Sequence, residues 1–86
     1  LNKFIQGKKF LIKEVIVNPK GSISLQKHFH REEHWNIFEG KPEIIINKNL
    51  YKAKKNEIYY VPKRAIHRVT NKIKTTAKFI EDKLGK

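Results

Sequence analysis

The chain has 86 residues, with 20 Lys and Arg against 8 Asp and Glu for a net charge of +12, and no cysteine. Disulfides and thiolate zinc sites are therefore excluded, and no apolar run approaches the ~20 residues of a membrane-spanning helix. The basic residues are mostly lysines spread along the chain in nothing longer than pairs such as Lys8-Lys9 and Lys54-Lys55. That describes a solvated surface that draws in small phosphorylated anions rather than a nucleic-acid or membrane interface.

Helix signals are poor, and short β-branched and aromatic runs alternate with turn residues, the pattern of a sandwich or barrel. Phe10 to Val17 reads as a strand stopped by Asn18-Pro19-Lys20-Gly21, a strong turn signal. Ser22 to His30 is a second extended stretch, and His34 to Phe38 a third, closed by Glu39-Gly40-Lys41-Pro42. Glu43 to Ile46 and Leu50 to Ala53 form a hairpin around Asn47-Lys48-Asn49, with Ile44-Ile45-Ile46 as a covered central strand. Glu57 to Val61 runs into Pro62, Ala65 to Thr70 follows, and Thr75 to Glu81 is last. About eight strands with no room for a long helix call for a closed or double-sheet β architecture, which leaves few open edges. Its interior has space for a metal and a small ligand but little more. Because the chain opens on Leu1, residues 1–86 are expected to be one domain of a longer chain; the lack of cysteine fits a reducing cytosol.

All 4 histidines lie where one metal can collect them. His28, His30 and His34 fall in one run, and His67 follows Pro62 on a distant strand. If the run is one extended strand, positions i, i+2 and i+6 share a face, so the three would look into the same interior and His67 would complete the set. Neutral imidazole binds most first-row divalent ions, so the sequence does not choose among zinc, manganese, cobalt and nickel. The competing reading of a solvated histidine-rich loop is weakened because no histidine stands elsewhere.

These residues carry a resemblance. Gly21, His28-Phe29-His30, the acidic or histidine position after it, and Gly40 resemble the first motif of the cupins; Asn56, Pro62, Arg64, His67 and Asn71 follow the second. The implied fold is an all-β cupin, a double-stranded β-helix or jelly-roll barrel. Asn56 and Arg64 stand where that family often has glycine, so both need turns that tolerate a side chain. A narrower match is to type II mannose-6-phosphate isomerases: Ser24-Leu25-Gln26, His28, His30-Arg31, Glu33-His34-Trp35 and Gly40, with Ile58-Tyr59-Tyr60-Val61-Pro62, His67-Arg68 and Ile80-Glu81 downstream. Those domains are the C-terminal part of bifunctional enzymes that also carry a mannose-1-phosphate guanylyltransferase domain. An Arg-Pro-Trp-Gly segment upstream and an acidic tail downstream, both expected of that family, are missing from these 86 residues.

The resemblance implies a cytoplasmic, metal-dependent isomerase acting on a phosphorylated sugar, with a guanylyltransferase domain in the full-length chain and a homodimeric assembly. Many cupins use two histidines, a glutamate and a distal histidine as ligands. Here the third place has two candidates: counting back from Gly40 favours Glu33, whereas strand parity with His30 favours His34. The four-histidine set is the expectation, with Glu33 the runner-up and otherwise the base for proton transfer. Arg31 matches an arginine that the family marks as important to isomerisation, and can hold a phosphate or a sugar oxygen. Lys13 and Gln26 are candidate phosphate and sugar contacts, and Trp35 reads as structural packing. Two other classes share the fold, a non-catalytic sugar- or metal-binding domain and a small dioxygenase, and fold alone does not choose between them.

Overall fold

The structure, a computed structural model, describes the backbone of residues 3–6, 10–27 and 31–85 and the side chains of 12–23 and 32–82. Among the described residues there are nine strands and no helix: β1 Lys3–Gln6, β2 Phe10–Val17, β3 Ser22–Lys27, β4 Arg31–Glu39, β5 Glu43–Ile46, β6 Asn49–Lys52, β7 Ile58–Val61, β8 Ile66–Thr70 and β9 Ala77–Gly85. They build two antiparallel sheets, β1-β2-β9-β4-β7 and β3-β8-β5-β6. The expected strands match β2 and β5 to the residue and lie within a few residues of the others, and β1 was not among them. Ile44-Ile45-Ile46 lies in β5 between β8 and β6, inside its sheet as expected.

Alternation along each strand sets the core. Val15 and Val17 of β2, Trp35 and Ile37 of β4, and Ala77 and Phe79 of β9 face inward. Ile44 and Ile46 of β5, with Val69 of β8, meet them from the second sheet. Each such large side chain contributes about 1.5–3 kcal/mol on burial. Trp35 is central, its ring 5.1 Å from that of Phe79.

The turns between strands are tied down by specific bonds. At Asn18-Pro19-Lys20-Gly21 the Gly21 N–H donates to the Asn18 carbonyl at 2.8 Å, and Lys20 takes φ 64°. Buried Asn71 anchors the same end of the barrel. Its side-chain amide donates to the carbonyls of Val17, Asn18 and Thr75, and its own N–H donates to Gly21. Gly40 ends β4 at φ 86°, where a β-carbon would lie 2.8 Å from the Thr76 carbonyl oxygen. No other residue fits that crossing.

Two turns frame β7. Asn56 donates to the Ile37 carbonyl at 2.6 Å, and Ile37 donates back to Glu57. The Glu57 carboxylate accepts from the Lys54 N–H and the Tyr59 hydroxyl, at 2.7 and 2.6 Å. The Tyr59 bond and then the Lys54 amide hold that carboxyl below its usual range. Burial, then the same carboxylate, pushes the Tyr59 hydroxyl up to about 12. After β7, Ala65 N–H closes a turn onto the Pro62 carbonyl. This turn carries the chain from one sheet to the other and so delivers His67.

Asn56 and Arg64, flagged because the resembling family often has glycine there, both adopt positive φ, 74° and 64°. A left-handed conformation costs a side-chain-bearing residue about 1–2 kcal/mol, partly offset in glycine by its greater unfolded-state freedom. Arg64→Gly is therefore expected to raise stability by up to about 1 kcal/mol in chemical denaturation, whereas Arg64→Ala, which keeps the β-carbon, leaves the strain in place.

Candidate functional site

The inner face of the larger sheet carries polar groups at one end of the barrel. Along β4 the buried set is Glu33, Trp35 and Ile37, so the odd positions point inward. Glu33 is 0% exposed and His67 3% exposed. Burying a carboxylate in an apolar core is costly unless partners compensate, and two are in place. The Trp35 indole N–H donates to Glu33 Oε1 at 2.8 Å, an i, i+2 contact on one strand face. Glu33 Oε2 stands 3.8 Å from His67 Nε2. The His67 ring in turn meets Trp35 edge-on, with centroids 4.9 Å apart and planes at 89°. Three residues from two sheets thus fix one another.

Register explains the meeting. Glu33 pairs with Val61 at the end of β7, and the Pro62–Ala65 turn then folds the chain over so that β8 brings His67 above it. His67 is held in its own sheet between Ile46 of β5 and Gln26 of β3.

His34 is elsewhere. It pairs with Tyr60 and Asp82 on the outer face of the larger sheet, and its ring lies 5.2 Å from that of Tyr60. The expectation that it shares an interior with His67 is corrected, and the reason is physical. Parity counted from His28 assumes one strand through residue 34, but β3 ends at Lys27 in one sheet and β4 begins at Arg31 in the other. The count does not survive the crossing between sheets. His28 and His30 lie between those strands, outside the described residues, as do the side chains of Gln26 and Arg31.

Lys13 is half-buried and shares the parity of Val15 and Val17, which places it on the inner face. Glu81 of β9, 8% exposed, stands in register with Lys13 on one side and Trp35 on the other. Glu81 was given no role from the sequence, and Trp35 only a packing one. The sequence signal for both was parity: Glu33 and Trp35 share a face, and Glu81 follows Ala77 and Phe79 at a spacing of two. Arg64 and Arg68 are exposed, and Tyr60 is 50% exposed on the outer face.

Among the described residues no three His, Asp or Glu groups gather as a metal cluster. The Glu33–His67 pair still suits a divalent ion. One hard oxygen and one imidazole nitrogen are a common donor combination, and 3.8 Å is under twice a metal–ligand bond of about 2.1 Å. The indole bond to Oε1 orients the carboxylate as an outer-shell partner does.

Comparison with known proteins agrees with this architecture. The structure resembles the Schizosaccharomyces pombe Cnp3 cupin domain with a TM-score of 0.89 over 100% of this chain and 63% of that one, at 17% identity. It also resembles a double-stranded β-helix domain protein of Klebsiella pneumoniae, at a TM-score of 0.91 over 99% of this chain and 76% of that one, with 14% identity. The fold is that of the cupins, as the motifs implied. In sequence, the chain is 35% identical over 79 residues to the alginate biosynthesis protein AlgA of Pseudomonas putida, covering 92% of this chain. It is likewise 35% identical over 81 residues to a mannose-1-phosphate guanylyltransferase of Sinorhizobium fredii, covering 94% of this chain. The chain spans 16% of the length of each of these relatives. The family described as mannose-6-phosphate isomerase C-terminal matches residues 2–86, and the chain belongs to that family.

Proposed function

We propose that this protein interconverts mannose 6-phosphate and fructose 6-phosphate, using a divalent metal ion held by Glu33 and His67 together with His28 and His30. The observation that carries the reading is the buried encounter of Glu33 and His67 at the end of the barrel. Glu33 takes the third ligand place because it shares the interior with His67, and His34 does not. When bound, the metal would act as a Lewis acid toward the sugar oxygens that become negative during enolisation.

The chain's own residues supply the rest. Trp35 holds Glu33 in one orientation, and the dry walls around it strengthen every charge interaction in the site. Lys13, on the inner face, would contact the phosphate, with Arg31 as a forked donor to phosphate or sugar oxygen and Gln26 as a hydrogen bonder to the sugar. The net charge of +12 concentrates dianionic substrate around the domain. A cytoplasmic homodimer completes the proposal, and a guanylyltransferase domain alongside it is supported by the relatives named for mannose-1-phosphate guanylyltransferase and for alginate biosynthesis. Membership in the isomerase family favours this chemistry over an oxygenase.

Two measurements check the site. Elemental analysis is expected to find close to one divalent metal per chain, lost in Glu33→Ala and retained in His34→Ala; isomerisation follows the same division and stops with chelator. The reverse pattern would restore the four-histidine set. Trp35→Phe keeps the buried ring but removes the N–H, and metal affinity by competition titration is expected to fall about 10- to 100-fold. Unchanged affinity would reduce the indole to packing.

A further inference from the structure

The inner face holds a second buried carboxylate with no place in the ligand set. We propose that Glu81 is the group that carries the proton between C2 and C1 of the sugar, an assignment that rests on the isomerase reading above. In the β4–β9 ladder Trp35 stands opposite Glu81, and Glu33 opposite Lys83. Glu33 and Glu81 are therefore diagonal neighbours on one face, a separation of about 7–8 Å. That is one step from the Glu33–His67 pair, within reach of the carbons of a sugar whose oxygens lie at that pair.

Division of labour follows from what each carboxylate already does. Glu33 Oε1 accepts the Trp35 indole bond and Oε2 faces His67, so both of its oxygens are committed to holding the site. A carboxylate so engaged is a poor shuttle for a carbon-bound proton. Glu81 lies next to that machinery, and on its other side stands Lys13, in register across the β2–β9 ladder. A lysine in register there shares the inner face with the carboxylate that acts as base.

The step balances without a further reactant. The Glu81 carboxylate takes the proton from C2 of the open-chain aldose. The C2–H electron pair becomes the C1–C2 double bond, and the carbonyl pair of C1 moves onto O1. The hydroxyl proton of O2 then passes to O1 as the O2 pair forms the C2 carbonyl, and the double-bond pair takes the proton from Glu81 at C1. The ketose forms and the carboxylate is restored.

The test is turnover in heavy water of the protein carrying its divalent metal, followed by proton NMR, with Glu81→Gln beside the native chain. The native protein is expected to interconvert the two sugar phosphates. Glu81→Gln should keep its metal content and its sugar-phosphate affinity, while kcat and exchange of the C2 proton with solvent both fall about 10³-fold. Exchange near the native rate in Glu81→Gln would overturn the assignment and leave the isomerase reading standing. Loss of metal in that variant would overturn it too, by making Glu81 a support of the ligands. A native protein that carries metal and neither isomerises nor exchanges would overturn both readings. Should Glu81→Gln fail to fold, Glu81→Asp decides: a carboxylate withdrawn by one methylene should keep metal and slow kcat at least 10-fold with KM little changed, and native kcat would refute the role.

Discussion

A carboxylate buried in an apolar core sets the terms for this fold. Glu33 has no solvent exposure, and a polar group so placed is tolerated only where the protein supplies strong partners. The indole of Trp35 and the imidazole of His67 are those partners, and they come from opposite sheets. The barrel therefore must close accurately at this end. The short turn after β7 serves that closure, while the Gly40 crossing and the Asn71 anchor close the opposite end.

The same constraint separates structure from chemistry. Toward the far end of β4 the inner face is Ile37, met by Val15, Phe79 and Ile44, an ordinary apolar interior. Toward the near end the same face becomes Glu33, Glu81 and the half-buried Lys13. A small barrel cannot place charge in its middle without losing its core, so the polar groups collect at one mouth. Trp35 sits at the boundary, packing against Phe79 on one side and bonding Glu33 on the other. It is large enough to seal the core and polar enough to address the site.

Much of this was legible in the chain. Alternating hydrophobics and the Asn-Pro-Lys-Gly turn placed β2 to the residue, and the positive-φ demands at Asn56 and Arg64 were visible because glycine is the usual solution there. Parity decided the choice between Glu33 and His34 in favour of His34, and the inward position of Glu33 is the correction. Alternation is reliable only within a strand, and it was carried from His28 to His34, whereas β3 ends at Lys27 in one sheet and β4 begins at Arg31 in the other. Counting back from Gly40 stays within β4 and reaches Glu33 correctly as an inward residue. Glu81 was passed over because a lone Glu in a terminal strand looks like a solvated residue until its register with Lys13 and Trp35 is known.

The most direct test is a crystal structure of the protein soaked in zinc, with anomalous diffraction at the zinc edge. This account predicts one strong peak inside the barrel mouth, within about 2.3 Å of both Glu33 Oε2 and His67 Nε2. A strong peak on the outer face beside His34 and Tyr60, with none between Glu33 and His67, would contradict it.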